Sequence, residues 1–380
     1  MKLEYAQLRP GCADGACRIT AKGGILASLH WADQNGPLEN WTQLALLPLL
    51  PTGTGSCTLT GNRAVPPQAT HLLARVIAVD FSLLGQLSIP IPLATPPQEP
   101  PLYRLLVMTD LHLSRKPWQV RQGLTIARGY DALLITGDLT NDGLPYQMEA
   151  VFDAITELLP DTAVFAVSGN HDYPLLPSPR VIQGASDYPA LQQSLLKRAQ
   201  KLGWHCVQHP SGAYLAARNQ LRIIGLNATG HFRRFRFPED GQLEWLSALL
   251  SRQQPKVLRP LLLCHAPLAA HQPYPGSQPY LHRNRILQQI VNDSAGVVFL
   301  SGHTHISLNC RPGCAEQDGQ NLYLNAGSIR PGSLPADELL QPEEWTHGNV
   351  VELLLGRESI TVSGITVGNG RRIARGFYRF

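Results

Sequence analysis

Beyond residue 102, the chain alternates short apolar runs with segments of helical periodicity. The helical patterns cover residues 145–159, 190–202, 241–252 and 283–293. The apolar runs that matter most cover residues 103–109, 132–137, 163–169, 260–264 and 296–302. Strands that alternate with helices build sheets with helices on their faces, so this pattern predicts an α/β domain.

Each of the five apolar runs is followed by polar side chains that can bind metal or handle phosphate. These side chains are Asp110, His112, Asp138, Asn170, His171, Asp172, His265, His303 and His305. Ligands of open α/β sheets gather outside the carboxyl ends of the strands. The sequence therefore predicts one site built from several strand ends.

The local spacing supports this prediction. Asp110 and His112 are two residues apart, as are His303 and His305, and in extended backbone such partners point the same way. Each pair could approach one ion, or two adjacent ions, from one side. The set offers carboxylates, imidazoles and an amide but no thiolate, which favours Mn, Fe, Zn, Co or Ni over copper(I) or an iron–sulfur cluster.

A glycine directly precedes several of these residues. Gly137, Gly169 and Gly302 stand immediately before Asp138, Asn170 and His303. Glycine allows a sharp bend from strand to loop and a close approach of the backbone.

In this order, the motifs resemble the signature of the calcineurin-like metallophosphoesterases. They are Asp110-x-His112, Gly137-Asp138, Gly169-Asn170-His171-Asp172, His265 and Gly302-His303-Thr304-His305. One fragment alone is common, whereas the ordered set after five apolar runs is specific. The resemblance covers residues 102–332 and implies an α/β (α+β) fold, the four-layer αββα metallophosphoesterase sandwich.

The resemblance also implies two divalent or mixed-valence metal ions, Mn, Fe or Zn. In the family pattern, one metal ion is bound by Asp110, His112, Asp138 and His305. Asp138 bridges to the second ion, which is also bound by Asn170, His265 and His303. The implied reaction is hydrolysis of a small anionic phosphoester by in-line attack of a hydroxide that bridges the metals.

The resemblance gives two further residues catalytic roles. His171 is expected to contact the phosphate and to act as the acid for the leaving alkoxide, while Asp172 orients its imidazole. A lone Asp or His at a strand end is more often a cap or a solvated residue, and the ordered set carries the assignment.

The loop after Asp138 bears on the substrate. Its sequence, Leu139-Thr140-Asn141-Asp142-Gly143, lacks the arginine with which protein Ser/Thr phosphatases hold the phosphoryl group. Asn141 stands where purple acid phosphatases place a metal-binding tyrosine. The motifs are most similar to class III cyclic-nucleotide phosphodiesterases and their glycerophosphodiesterase-like relatives, which implies that Asn141 binds substrate.

One departure from that subgroup keeps an alternative open. Ala266 follows His265, where the subgroup commonly has a second histidine. A phosphodiesterase is therefore the first hypothesis, and a phosphomonoesterase or nucleotidase is the alternative. A non-catalytic binding protein on the same fold would have lost metal ligands, and no position of the motif is missing.

Other histidines and one basic segment have weaker assignments. His205, His209, His231, His271 and His282 match no motif and are interpreted as core or surface residues. Residues 232–237 could be a loop whose arginines bind the phosphate of the substrate. We favour a solvated loop with its phenylalanines packed beneath it.

A proline-rich segment, residues 94–101, divides the chain. It contains four prolines, which cannot continue a strand or helix, and it is interpreted as a linker. Before it, apolar runs at 24–29, 42–50, 71–79 and 84–91 predict a small all-β domain over residues 1–95. The second domain covers residues 102–380 and ends in closing strands after residue 350.

Composition sets broad limits on function. A net charge of +4 with scattered basic residues gives no strong nucleic-acid signal. The sequence predicts no membrane span and no signal peptide, so a cytoplasmic location is expected. The seven cysteines lack a disulfide framework, although Cys12 with Cys17 or Cys310 with Cys314 could pair. A homo-oligomer that involves the N-terminal domain is possible.

Overall fold

The computed structural model describes most of the chain. The described residues are 1–7, 15–32, 42–49, 53–59, 71–90, 100–113, 118–174, 187–230, 235–251, 258–271, 284–294, 296–305, 315–329, 348–368 and 372–379.

The described residues before position 91 form two antiparallel sheets. The strands are β1 (Lys2–Gln7), β2 (Gly15–Thr20), β3 (Gly24–Ala32), β4 (Thr42–Pro48), β5 (Thr54–Leu59), β6 (His71–Ala78) and β7 (Leu83–Pro90). One sheet has the order β1-β2-β5 and the other β4-β3-β6-β7. Ile19 from the first sheet and Leu29 and Leu72 from the second are fully buried in one core. The predicted N-terminal β region is confirmed.

Thirteen further strands build two larger sheets in the described part of the chain. They are β8 (Tyr103–Met108), β9 (Ala132–Ile135), β10 (Ala163–Ala166), β11 (His205–Gln208), β12 (Tyr214–Arg218), β13 (Leu221–Gly225), β14 (Leu261–Leu263), β15 (Val298–Ser301), β16 (Ala315–Asp318), β17 (Asn321–Asn325), β18 (Asn349–Leu355), β19 (Ser359–Thr366) and β20 (Arg372–Arg379). The six-stranded sheet has the order β10-β9-β8-β18-β19-β20. The seven-stranded sheet has the order β11-β12-β13-β14-β15-β17-β16.

Each large sheet has a parallel centre. Strands β8, β9 and β10 pair in parallel, and so do β13, β14, β15 and β17. Their carboxyl ends therefore lie at one edge of each sheet. Alternate side chains of β8 enter different cores: Leu105 faces the other sheet, while Leu106 faces helices. This alternation follows from the two-residue period of a strand.

In the described residues, five α-helices cover the outer faces of these sheets. They are α1 (Trp118–Ile126), α2 (Pro145–Leu158), α3 (Tyr188–Lys201), α4 (Gln242–Ser251) and α5 (Asn284–Asn292). The first three pack on the six-stranded sheet and the last two on the seven-stranded sheet. The inner faces share a core that contains Leu105, Phe165, Ile223 and Val298. The predicted four-layer αββα fold is confirmed.

Helix α1 was not predicted, because a glycine interrupts its pattern. Gly123 lowers helix propensity, but a Cβ there would lie 2.8 Å from both Met108 Cε and Ile329 Cδ1. A larger residue at this position would require the ends of these two side chains to shift.

None of the described helices is long and apolar enough to cross a membrane. Cys206 and Cys264 have free thiols, and the suggested pairs of Cys12 with Cys17 and of Cys310 with Cys314 stay predictions. Cys12, Cys310, Cys314 and the linker residues 94–99 lie outside the described residues, and the domain boundary at residue 95 stays a prediction.

Candidate metal centre

The structure brings the predicted site residues together where strands of the two large sheets end. The six-stranded sheet supplies Asp110, His112, Asp138, Asn170, His171 and Asp172, and the seven-stranded sheet supplies His265, His303 and His305. The site therefore spans the two inner layers of the fold.

Five of the candidate ligands have left-handed backbone. The φ angle is 52° at Asp110, 41° at His112, 50° at Asp138, 69° at His303 and 53° at His305. The expected extended backbone at the two pairs is therefore wrong, because the chain turns sharply at each strand end. Such conformations cost roughly 1–3 kcal/mol each outside glycine and cluster at functional sites.

The glycines before the ligands have the expected role. Gly137 has a φ of 103°, which a side chain would disfavour. A Cβ at Gly169 would overlap Asp138 Oδ1, and a Cβ at Gly302 would overlap Thr109 Oγ1. These glycines permit the backbone to approach the ligands closely.

The first group of candidate ligands comprises Asp110, His112, Asp138 and His305, whose ligand atoms lie within 4.8 Å of one another. His112 Nε2 lies 3.0 Å from His305 Nε2 and 3.5 Å from Asp138 Oδ2. His305 Nε2 lies 3.0 Å from Asp110 Oδ1. Converging imidazole nitrogens and carboxylate oxygens fit a divalent transition-metal ion.

The second group comprises Asp138, His265 and His303, with the same separation limit between ligand atoms. His265 Nε2 lies 3.3 Å from Asp138 Oδ2 and 3.1 Å from His303 Nδ1. Asp138 belongs to both groups through the same oxygen, Oδ2. From this position, one carboxylate oxygen could bridge two ions.

Asn170 provides an independent test of the fit to a metal. Its side chain is buried, and neither Oδ1 nor Nδ2 has a hydrogen-bond partner among the described residues. A buried amide without partners costs about 1–3 kcal/mol. Its oxygen is an acceptable metal ligand, so a bound ion would satisfy an atom that is otherwise unsatisfied.

A main-chain contact fixes the orientation of the His265 ring. Its Nδ1 lies 2.8 Å from the carbonyl oxygen of Thr136, so Nδ1 carries a proton and Nε2 faces Asp138. Burial lowers the pKa of His265, but the Asp138 carboxylate more than offsets this effect and raises the pKa to about 9. A metal ion at Nε2 would displace the second proton.

The other buried groups are already in metal-binding protonation states. Burial lowers the pKa of His112 and of His303 to about 4, so both imidazoles are neutral at physiological pH. Burial would raise the pKa of Asp138, but His265 and His112 hold it well below its usual range. Neutral imidazoles and ionised carboxylates are the forms that bind metals.

His171 stands beside the first group. Its ring centroid is 4.6 Å from that of His112, with the rings edge to face. Its Nδ1 lies 2.9 Å from the carbonyl oxygen of Asn141, to which it donates a hydrogen bond. This contact sets the plane of the imidazole.

The carboxylate of Asp172 binds the main chain around it. Its carboxylate accepts hydrogen bonds from the main-chain N–H groups of Leu139, Thr140 and Gly169 at 2.9–3.3 Å, and from Thr140 Oγ1 at 3.0 Å. The expected role of Asp172 in orienting the imidazole of His171 stays a prediction. Burial and the charge of Asp138 raise the pKa of Asp172 to about 7.

Several supporting residues were not predicted from the sequence. Thr109 Oγ1 donates to Asp110 Oδ2 at 2.8 Å, and the main-chain N–H of His303 donates to the same oxygen at 2.9 Å. Asn325 Nδ2 donates to the carbonyl oxygen of Gly302 at 2.9 Å. Only Thr109 offered a sequence signal, as a hydroxyl residue directly before a ligand.

The basic segment near the site is described in part. Phe235 and Phe237 are buried, as expected for phenylalanines packed beneath a loop, and the Phe235 ring lies 5.8 Å from that of His265. His231, residues 232–234 and His282 lie outside the described residues.

The fold and these two ligand groups define a four-layer α/β protein with a candidate metal centre at its strand ends. A family model for calcineurin-like phosphoesterases matches residues 103–307, more than half of the chain. The chain belongs to the calcineurin-like phosphoesterase family, and it is a metal-dependent phosphoesterase.

Similar solved structures include two phosphatases. A dimetal phosphatase from Danio rerio is 15% identical, with a TM-score of 0.47, over 72% of this chain and 99% of that chain. A purple acid phosphatase from yellow lupin (Lupinus luteus) seeds is 11% identical, with a TM-score of 0.48, over 99% of this chain and 74% of that chain. At these values, neither similarity carries an argument about the activity of this chain. No curated protein matches the chain significantly.

Proposed function

We propose that this protein hydrolyses phosphodiesters of the cyclic-nucleotide or glycerophosphodiester type with two metal ions. The observation that carries the two-metal proposal is the position of Asp138 Oδ2, 3.5 Å from His112 Nε2 and 3.3 Å from His265 Nε2. Because this one oxygen lies close to histidines of both ligand groups, Asp138 could be a ligand of both metal ions.

The proposed ligands divide between the two ions. One ion would be held by Asp110, His112, Asp138 and His305, and the other by Asp138, Asn170, His265 and His303. When bound, the pair would activate water as a nucleophile at neutral pH and neutralise charge on the phosphoryl oxygens. The identity of the metals is proposed only as Mn, Fe or Zn.

In this proposal His171 acts on the leaving group. Because Nδ1–H donates to the carbonyl of Asn141, we propose Nε2 as the nitrogen that would contact the substrate. A protonated imidazole there can hydrogen-bond to a phosphoryl oxygen and donate a proton to the departing alkoxide. Asn141 is kept as a proposed substrate contact; its Nδ2 already donates one hydrogen bond to Asp142 Oδ1 at 2.9 Å.

The preference for a diester follows from charge. A diester carries one negative charge and a monoester carries up to two at neutral pH. The loop of residues 139–144 has no arginine or lysine with which to bind a second charge. The alternative, a phosphomonoesterase or nucleotidase, is favoured by the single histidine at 265, which departs from the diesterase subgroup.

Parallel assays with bis(p-nitrophenyl) phosphate and p-nitrophenyl phosphate under added Mn²⁺ test the proposal, together with metal analysis of the same preparation. We expect a higher kcat/KM for the diester. The variant Asp138→Asn should lose activity and most bound metal, whereas His205→Asn, at an exposed position on β11, should behave as the wild-type protein. Clear preference for the monoester would reject the diesterase proposal.

We also propose that residues 1–95 form a separate domain that selects substrate or mediates self-association. Support comes from their two sheets around one core. Removal of residues 1–97 should leave the metal content of the remaining chain intact while changing either kcat/KM or oligomeric state. Loss of metal together with folded structure would contradict a separate domain.

A further inference from the structure

The imidazole of His171 contacts the main chain of the loop that follows Asp138. The carbonyl oxygen of Asn141 accepts the hydrogen bond from Nδ1 at 2.9 Å. A main-chain carbonyl orients a ring well only if the loop that carries the carbonyl is itself held in one position. The contacts that hold residues 140–143 therefore bear on the position of His171.

This loop is fixed on both sides of Asn141. On one side, the Thr140 main-chain N–H and hydroxyl bind the Asp172 carboxylate, and the Gly143 N–H donates to Thr140 Oγ1 at 3.1 Å. On the other side, Asp142 is held by the side chain of Gln147, which lies in the first turn of α2 and is 3% exposed.

The pairing of Asp142 with Gln147 is reciprocal, and we name it the Asp142–Gln147 latch. The main-chain N–H of Asp142 donates to Gln147 Oε1 at 3.0 Å, and Gln147 Nε2 donates to Asp142 Oδ2 at 2.9 Å. The other carboxylate oxygen of Asp142 accepts from Asn141 Nδ2 at 2.9 Å. The latch thus holds both the backbone and the side chain next to the carbonyl that contacts His171.

We propose that Gln147 is a positioning residue for His171 and acts through the Asp142–Gln147 latch. This inference rests on the proposed function, in which His171 protonates the leaving group. Without the latch, Asn141 would no longer hold its carbonyl in one place, and the imidazole would sample unproductive orientations. Displacement of a reacting group by about 1 Å can cost a large factor in rate.

A purely structural role for Gln147 makes a different prediction. The N-cap residue of α2, Leu144, has no side-chain cap, so the latch also supplies hydrogen bonds at the start of this helix. If that were its only role, loss of the latch would lower stability and reduce every activity equally. If Gln147 acts through His171, the loss of rate should instead be larger for a leaving group that needs protonation more.

The test measures the activity of the variant Gln147→Met on two esters. Methionine is similar in length to glutamine but lacks its polar atoms. Bis(p-nitrophenyl) phosphate releases an acidic phenol that needs little protonation, whereas diphenyl phosphate releases a more basic one. Because general acid catalysis contributes about 10²–10⁴-fold, we expect kcat for diphenyl phosphate to fall at least about 10-fold. The kcat for the nitrophenyl ester should change by less than about 3-fold, with metal content unchanged.

Two further variants control this experiment. Gln192→Met makes the same substitution at another buried helical glutamine, which binds Tyr188 and Gln208 and does not belong to the site; it should affect both esters equally. Gln147→Glu places two carboxylates together, and the double variant Asp142→Asn with Gln147→Glu restores a donor and an acceptor. The double variant should recover the diphenyl phosphate rate.

The outcomes separate the two proposals. Equal losses on both esters, or no recovery in the double variant, would overturn the role of Gln147 and leave the proposed function intact. Failure of the metal-loaded wild-type protein to hydrolyse either diester would overturn the diesterase proposal and this inference with it.

Discussion

At the scale of single residues, the carboxylate of Asp138 has two distinct sides. Oδ2 faces His112 and His265, while Oδ1 accepts the main-chain N–H of His171 at 2.8 Å. That hydrogen bond leaves Oδ2 to the imidazoles and fixes the rotation of the carboxylate. The same contact ties the loop of His171 to the centre of the site.

Gly169 allows this arrangement, and its substitution is a sharp test. The backbone at Gly169 has a φ of −106°, which any residue adopts, so Gly169→Ala introduces steric overlap alone. Its Cβ would overlap Asp138 Oδ1, and we expect bound metal and kcat both to fall at least about 10-fold, a loss of about 1.4 kcal/mol or more in each. Metal analysis and steady-state kinetics measure the two losses.

Gly203→Ala is the matched control for that substitution. A Cβ at Gly203 meets no atom within 4 Å, but its φ is 85°. The control should lower the melting temperature slightly through backbone strain and leave metal content unchanged. Normal metal content in Gly169→Ala would show that Asp138 can move without loss of the site.

His171→Ala separates metal binding from proton transfer. Because His171 belongs to neither group of candidate ligands, we expect metal content close to that of the wild-type protein. Loss of the acid and of a phosphate contact should lower kcat by about 10²–10⁴-fold. Retained turnover on diphenyl phosphate would remove His171 from the mechanism.

At the scale of elements, a strand from the last part of the sequence lies in the centre of the six-stranded sheet. The closing strands were predicted, but not that β18 lies between β8 and β19. Strand β18 pairs with β8 in antiparallel register, and its Val350, Val351 and Leu353 are fully buried. The last 32 residues of the chain thus begin with the strand that completes the centre of a sheet.

A truncation tests this position. Ending the chain after residue 348 exposes the edge of β8 and removes several side chains whose burial contributes roughly 1.5–3 kcal/mol each. Since domains are stable by only about 5–15 kcal/mol, we expect no cooperative unfolding transition. Ending the chain after residue 371 removes only the edge strand β20 and should preserve a transition; thermal unfolding followed by circular dichroism distinguishes the two. A cooperative, metal-binding product of the longer truncation would contradict the central role of β18.

The elements that could be predicted are those with strong local patterns. The four predicted helices match α2 to α5 to within about two residues, because an apolar face at helical spacing is a local property. Strands β11, β12 and β16 were missed because they carry exposed or mixed side chains. Their strand conformation depends on pairing with neighbours, which a local pattern does not reveal.

At the scale of the whole molecule, the metal centre would join the two large sheets. Each group of candidate ligands draws on both: Asp138 from the six-stranded sheet meets His265 and His303 from the seven-stranded sheet, and Asp110 meets His305. Bound ions would therefore stabilise the native arrangement of both sheets, since the unfolded chain cannot hold these side chains together.

Removal of metal should accordingly lower stability. A ligand at 100 times its Kd stabilises the folded state by about 2.7 kcal/mol, so treatment with a chelator should lower the Tm by several degrees. Added Mn²⁺ or Zn²⁺ should restore it. Asp138→Asn should show little response to chelator or metal, and an equal response in this variant would place the stabilising ion elsewhere.

The sequence by itself determined which residues could carry the chemistry and the class of fold around them. Five apolar runs with polar ends are local features, and their order matched one family. The tertiary structure alone gave the distances from Asp138 to the two ligand groups, the left-handed backbone at five candidate ligands, and the contact of the Asn141 carbonyl with His171. These features depend on contacts between strand ends distant in sequence, such as Asp138 with His265, and local pattern does not fix such distances.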